Sequence, residues 1–322
     1  MSTPQVAVIG VDIGGTKVAA GLVSSDGKIL TQVRTPMAAN AGPDAGFDAV
    51  THAIGTLQAQ ISSDYAISGI GICAPGPLDP RTGVVLNPPN LPCWRNFPLA
   101  ERASHVYKVP VKVDNDANAA GLAETIWGAA RGYHYVFYAT LGTGIGTGIV
   151  LDGRIYHGNT GSAGEGGHVT IDYKGPLCAC GKRGCIEALA AGPAIGARAR
   201  AKLGGGSKSV MLELAGGRAD AVTSEIVGTA YVAGDALAKE ILQETADLLA
   251  IWLGDIVDLL DPDVIVVGGG VAAMLRPFFT SIKDKLPTWS VNPRAAEIPL
   301  VIAHYGADAG IAGGAALCGP AK

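Results

Sequence analysis

A chain of 322 residues is long enough for two cored domains, and a hydrophobic fraction of 48% against 16% charged residues excludes a disordered polypeptide. The net charge is −4, from 24 basic against 28 acidic residues, with no dense basic run, so the electrostatic footprint of a nucleic-acid partner is missing. The opening "MSTPQVAVIGVDIGG" has no basic leader and is interrupted by Asp12, which argues against a signal peptide or membrane span and predicts a cytoplasmic protein with six reduced cysteines.

Residues 6–33, "VAVIGVDIGGTKVAAGLVSSDGKILTQV", read as an apolar strand, a glycine-rich turn, a second strand, and an Asp26-Gly27 turn into a third, which is a β-meander. "GFDAVTHAIGTLQAQI" then carries helical spacing, "ISGIGICAPGPLDP" predicts a buried strand entering a proline-rich loop, and "VPVKVDNDANAAGLAETIWGAA" a strand followed by a helix. A second meander occupies residues 135–156, with "LGTGIGTG" as its first turn and Asp152-Gly153 as its second. Two such units, each presenting a glycine-rich loop, would suit a nucleotide held from opposite sides.

Further on, "KLGGGSKS" and "LAGGRAD" are expected to be surface connections. Leu242, Leu249, Trp252, Leu253, Ile256 and Leu260 fall on one face of a long packing helix that Pro262 stops. "DVIVVGGGVAAMLRPFF" predicts a buried strand, three glycines and a helix start, and "LVIAHYGADAGIAGGAALCG" a strand and a small-residue helix.

Chemistry concentrates at the turns. Asp12 leads into Gly14, Gly15, Thr16 and Lys17, where glycines let backbone N–H groups approach phosphate oxygens and a threonine hydroxyl adds a donor. A strand follows, so this is neither a Walker loop nor a dinucleotide fingerprint; a hairpin with a charged lip is the other reading. On the anion-site reading, Asp12 would hold a Mg²⁺ against a transferred phosphoryl group. Gly142, Thr143 and Gly144 form a second candidate cradle, and Gly268, Gly269 and Gly270 a third. In "VDNDANAA", Asp114 and Asp116 lie near a strand end with Asn115 and Asn118 alongside. Asp116 suits a general base for an attacking hydroxyl and Asn115 a partner for the next hydroxyl of a polyol; the alternative is that either residue caps the following helix.

"GEGGH" places Glu165 three residues before His168, and ten residues later "CACGKRGC" begins. His168, Cys178, Cys180 and Cys185 have the composition of a structural zinc site, although the spacing is not that of zinc fingers. A redox pair is disfavoured by the missing CxxC, and buried free thiols are the remaining alternative. Zinc held by four protein ligands would orient rather than react, with the second ring nitrogen of His168 offered to a sugar hydroxyl and Glu187 held by the same knuckle. Cys73, Cys93 and Cys318 read as small core residues.

Taken in order, "DIGGTK", "APGPLDP", "DNDANAA", "GEGGH" and "CACGKRGCIEALAAG" resemble the ROK family of repressors, open reading frames and kinases, over almost the whole chain. The resemblance implies an α/β, two-domain fold of the actin-like ATPase and hexokinase (ribonuclease H-like) type, with duplicated meanders and domains closing over ATP and sugar. Those domains would be residues 1–117 plus 303–322, the smaller, and 118–302, the larger, with the zinc knuckle. It further implies an ATP-dependent hexokinase using Mg²⁺ and structural Zn²⁺, acting at the 6-hydroxyl and most similar to the glucokinases. N-acetylmannosamine, N-acetylglucosamine, allose and fructose kinases share the same motifs.

By the same resemblance Asp116 is the catalytic base; Asn90, Asn115, Glu165, His168 and Glu187 bind the sugar; Asp12, Gly14, Gly15, Thr16, Thr143 and Gly144 serve the phosphates and Mg²⁺. A homodimer or homotetramer is implied. Repressor members carry a DNA-binding head before the first phosphate loop, and the few residues ahead of Asp12 leave no room for one, so the repressor reading ranks below the kinase reading. Intact phosphate loops and Asp116 argue against a non-catalytic sugar-binding protein.

Overall fold

The computed structural model describes residues 4–319; the outermost residues of the expected first domain, 1–3 and 320–322, lie outside the described residues. The first meander is β1 (Gln5–Ile13), β2 (Lys17–Ser24) and β3 (Ile29–Pro36), followed by α1 (Pro43–Gln58) and β4 (Tyr65–Ala74). Three two-residue strands, β5 (Leu78–Asp79), β6 (Val84–Val85) and β7 (Phe97–Pro98), make a small sheet of their own, and α2 (Leu99–Tyr107) follows. Next come β8 (Val111–Asn115) and α3 (Asp116–Ile126), then the second meander, β9 (Tyr135–Leu141), β10 (Ile145–Leu151) and β11 (Arg154–Ile155). Helices dominate thereafter: α4 (Ile186–Ala190), α5 (Gly192–Gly204), α6 (Met211–Leu214), α7 (Ser224–Val232) and α8 (Ala236–Leu260). The chain closes with β12 (Val264–Gly268), α9 (Gly270–Leu275), α10 (Phe279–Trp289), β13 (Leu300–Ile302) and α11 (Ala309–Leu317).

The duplication read from the two Asp-Gly turns is present in the sheet topology. One sheet has the order β3-β2-β1-β4-β8 and the other β11-β10-β9-β12-β13, each a meander extended by two further strands. In the first, β1–β2 and β2–β3 are antiparallel while β1–β4 and β4–β8 are parallel. The second Asp-Gly turn is a two-residue hairpin with both residues left-handed, Asp152 at φ 48° and Gly153 at 71°, whereas the first is one residue longer and only its Gly27, at 82°, is left-handed.

The chain packs as two compact units, Met1–Tyr138 with Gly148–Gly164 and Ala303–Lys322, and Ala139–Thr147 with Glu165–Ile302. In the first unit, α1 and its neighbours bury Phe47, Val50, Ile54 and Leu57 against one face of the sheet. α11 covers the other, packing Ile311 and Ala315 on Val8, Ala19 and Val23. This helix lies on glycines: a Cβ at Gly10 would sit 1.9 Å from the Ile311 carbonyl oxygen and one at Gly71 1.7 Å from that of Gly314, so only hydrogen at those two strand positions permits the approach. The fully buried Glu124 of α3 fastens the returning chain, accepting from the amides of His304 (2.8 Å) and Tyr305 (3.0 Å) through Oε1 and from Ala129 (2.8 Å) through Oε2.

In the second unit, α8 is capped by Asp235, whose Oδ1 accepts from Ala238 N at 2.8 Å, and ends at Asp261 in left-handed conformation just before Pro262. Its expected apolar face is buried except Leu260, which is half-exposed at the last position; Leu237, Ile241 and Ala246 are buried as well, so the covered surface is wider than one stripe. The stretch expected as a loop from Lys202 starts later, because α5 continues through Gly204. Among the described residues no helix is long and apolar enough to cross a membrane.

Candidate active site

At the end of β8, an edge strand paired in parallel with β4 (Cys73 opposite Asp114, Ala74 opposite Asn115), the sequence Asp114-Asn115-Asp116 passes into α3. Asp114 is buried, 4% exposed, and its carboxylate is fully engaged. Oδ1 accepts from the Asn115 amide at 2.7 Å and from Asn118 Nδ2 at 3.2 Å, and Oδ2 from His157 Nε2 at 2.6 Å. Asn115 is the N-cap of α3, its Oδ1 accepting from Ala117 N (2.9 Å) and Asn118 N (3.4 Å). The capping alternative therefore holds for Asn115, and it leaves the Nδ2 group, a donor only, to meet a ligand. Asp116, the first residue of the helix, is exposed and receives the Ala117 amide at 2.8 Å.

Near it, Asp12 stands one residue from the end of β1. Burial, and after it the like charge of Asp116, pushes its carboxyl up to about 6, against the opposing pull of Lys17 and Arg34. Two carboxylates crowded in this way are relieved by a hard cation with oxygen ligands, so the donor set fits Mg²⁺. In the adjoining turn Gly14 N donates to Lys17 O at 2.9 Å, whereas the amides of Gly15 and Thr16 bond to nothing among the described residues. Asn90, exposed in its loop, lays its carbonyl over Gly15, 2.8 Å from where a Cβ would be.

The second unit gathers the remaining residues. A single 3₁₀ turn, Gly166–His168, is fixed from three sides: Gly166 N donates to Thr147 Oγ1 (2.8 Å), Gly166 O accepts from Trp252 Nε1 of α8 (3.1 Å), and His168 N donates to the carbonyl of Glu165 (3.0 Å). Glu165 itself is exposed. The cysteine stretch folds back through Cys178 N to Lys182 O (2.7 Å) and Gly181 N to Cys178 O (2.9 Å). Gly184 closes it at φ +65°, with a Cβ that would lie 1.5 Å from the Asp172 carbonyl oxygen, a place only glycine fills.

His168, Cys178, Cys180 and Cys185 then bring one ligand atom each within 4.8 Å of all the others. Cys180 and Cys185 Sγ are 3.6 Å apart, and His168 Nδ1 is 3.6 Å from Cys178 Sγ. A tetrahedral zinc with Zn–S of about 2.3 Å and Zn–N of about 2.0 Å has S···S edges of about 3.8 Å and S···N edges of about 3.5 Å, so the set fits that ion. Burial pushes the thiols of Cys178 and Cys185 up, the latter to about 12, a protonated state that a bound cation reverses. With Nδ1 turned to the cluster, Nε2 of His168 is left for another partner.

Glu187, in the first turn of α4, joins knuckle to meander. Its Oε2 accepts from Ile145 N at 2.9 Å, and its Oε1 lies 3.9 Å from His168 Nδ1. Gly144 makes room for it, since a Cβ there would be 2.6 Å from Glu187 Oε2. Thr143 and Gly270 line a cavity of about 840 Å³ together with Gly192, Arg200, Thr223 and Met274, a size that takes a nucleotide. Gly268 is the buried last residue of β12, and Gly269 turns the chain at φ +90° against the Leu141 backbone, so the cavity wall of that segment begins at Gly270.

Two features escape sequence reasoning. Arg200, Thr223 and Met274 come from three separate helical segments without a motif, though Gly192 and Gly196 at helical spacing do signal an open helix face. His157 pairs with Asp114 across 43 residues, and nothing local marks it. Of the three cysteines outside the knuckle, Cys73 and Cys93 are buried and Cys318 is half-buried.

The ROK family model matches residues 8–320. A glucokinase from Thermotoga maritima is 34% identical over 315 residues, covering 98% of each chain. An N-acetylmannosamine kinase from Shigella boydii is 34% identical over 310 residues, 96% of this chain and 97% of the relative. The crystal structure of a ROK family glucokinase from Streptomyces griseus in complex with glucose and AMPPNP is similar with a TM-score of 0.79 and 33% identity, covering 97% of this chain and 98% of that one.

Proposed function

The chain belongs to the ROK family, and on that premise we propose that it is an ATP-dependent hexokinase that phosphorylates the 6-hydroxyl of glucose. The observation that carries the reading is the strand end of β8, where an exposed carboxylate, Asp116, is presented on a backbone already fixed by the bonds of Asp114 and Asn115. A base held this way needs no reorganisation when substrate arrives. The sugar hydroxyl oxygen attacks the γ-phosphorus of ATP, its proton passes to Asp116, and ADP leaves.

Asn115 Nδ2 donates to the neighbouring hydroxyl, Glu165, Glu187 and His168 Nε2 bind others, and Asn90 contributes from its loop. The amides of Gly14, Gly15 and Thr16, with Lys17 and Thr143, receive phosphate oxygens, and the cavity bordered by Arg200 and Met274 receives the rest of the nucleotide. Mg²⁺ held by Asp12 would neutralise the phosphates, and Zn²⁺ on His168, Cys178, Cys180 and Cys185 would fix the imidazole. The same family reading carries a cytoplasmic homodimer or homotetramer, which light scattering tests.

A second reading, N-acetylmannosamine kinase, is favoured by the relative of equal identity that bears that name. ADP release measured with ATP and Mg²⁺ over a panel of hexoses and N-acetylhexosamines separates the two. Highest kcat/KM on glucose supports the first reading, and preference for N-acetylmannosamine the second. Sugar binding without turnover on any member overturns both.

A further inference from the structure

Behind the proposed catalytic base lies a charge pair that the phosphoryl-transfer reading does not use. Asp114 is 4% exposed, and three donors converge on its two oxygens: the Asn115 amide, Asn118 Nδ2 and His157 Nε2. Of these, the first two belong to the β8–α3 corner itself, whereas His157 comes from the loop after β11 and is the one partner that ties Asp114 to another part of the unit. Its bond is short, 2.6 Å, and it raises the imidazole above its ordinary range, as a charge-assisted contact does.

We propose that His157 is a positioning residue for phosphoryl transfer, holding the Asp114 carboxylate in the rotamer that fixes the Asn115 amide and so the direction in which Asp116 is presented. The inference rests on the kinase reading above. Its physics is direct. A buried carboxylate deprived of one of three donors is left under-solvated and turns or takes up a proton, and either change releases its other acceptor bonds. The Asn115 amide is two backbone bonds from the peptide that leads into Asp116, so the error is passed to the base itself rather than to distant packing. His157 lines a cavity of about 630 Å³ with Lys112 on the same strand as Asp114, Arg81 on the turn between β5 and β6, and Arg154 on β11. The other titratable groups that line it with His157 and Asp114 are these three cations and the Cys318 thiol, and Asp114 is the acid whose bond and charge raise the imidazole.

The test uses the full-length protein with the preferred sugar, ATP and Mg²⁺, and three variants. His157→Leu fills the ring's space without a donor; His157→Gln restores an N–H donor; Asp116→Asn removes the base. A positioning role predicts that His157→Leu lowers kcat by about 10- to 100-fold while sugar and ATP KM stay within about threefold, and that His157→Gln recovers most of the loss. Wild-type kcat in the Leu variant, or equal impairment of Leu and Gln variants, overturns the proposal. If the Leu variant fails to fold, His157→Phe takes its place in the same comparison with the Gln variant, and a loss of about 10-fold or more in the Gln variant sinks the role. Turnover surviving Asp116→Asn would instead remove the assignment of Asp116 as base, and no turnover by the unaltered protein on any sugar would remove the kinase reading on which the inference stands; both are distinguishable from failure of the His157 role alone.

Discussion

The β8–α3 corner of the first unit and the cysteine knuckle of the second reach fixed side-chain geometry by different means. At the corner, Asp114 and Asn115 direct their oxygens to protein donors, and the order is complete before any ligand arrives. In the knuckle, three thiols and an imidazole face one another within 4.8 Å, two of the thiols pushed up by burial, and their mutual contacts are long and weak. One site is organised by hydrogen bonds to protein donors, and the other is a set of ligand atoms whose spacing suits a cation. The difference teaches that the proposed base at the corner should be insensitive to a metal in the knuckle, while the proposed sugar recognition should depend on that metal.

The largest effect is expected at the corner. Asp116→Asn should lower kcat by about 10³-fold with circular dichroism and zinc content unchanged, and loss of zinc in that variant would show the two regions to be less separate than drawn. Next, Cys180→Ser should reduce bound zinc and raise the sugar KM by about 10- to 100-fold. At saturating sugar its kcat should stay within about tenfold of wild type, and a chelator should reproduce both results on the unaltered protein.

Gly144→Ala probes the join between knuckle and meander. Its Cβ, 2.6 Å from Glu187 Oε2, pushes that carboxylate off the Ile145 amide. Sugar KM should rise about tenfold, with zinc retained, as the loss of one charge-assisted hydrogen bond predicts. The smallest effect separates the two uses of Asn115: Asn115→Ala should cost about 1 kcal/mol in denaturant unfolding through the lost cap, and Asn115→Asp should restore the stability but not the sugar affinity, because it has no Nδ2 donor.

Much of this architecture is legible from local signals. The two Asp-Gly turns and their flanking apolar runs disclose the repeated meander, because positive φ and strand alternation act over a few residues. The clustering of His168, Cys178, Cys180 and Cys185 is readable for a similar reason, three of them lying within one short knuckle. What could not be read is set by long-range approach. Glu187 bonding to Ile145 and His157 bonding to Asp114 each depend on how separate elements dock. Gly144 reads from the sequence as part of a phosphate cradle, and its clearance for the Glu187 carboxylate emerges only from the neighbour's position. The segments lining the nucleotide-sized cavity carry ordinary helical polar residues, whose convergence is a property of packing.

The seating of α11 on Gly10 and Gly71 bears on how the protein is made. The strands of the first sheet are all translated by Asn115, but the helix that covers Val8, Ala19 and Val23 begins at Ala309. At ordinary elongation rates the sheet waits about 10 to 40 s on the ribosome for its cover. The amides of His304 and Tyr305, which Glu124 receives, are equally late. The residues of the second unit are complete at Ile302, ahead of the helix on which the first unit's sheet depends.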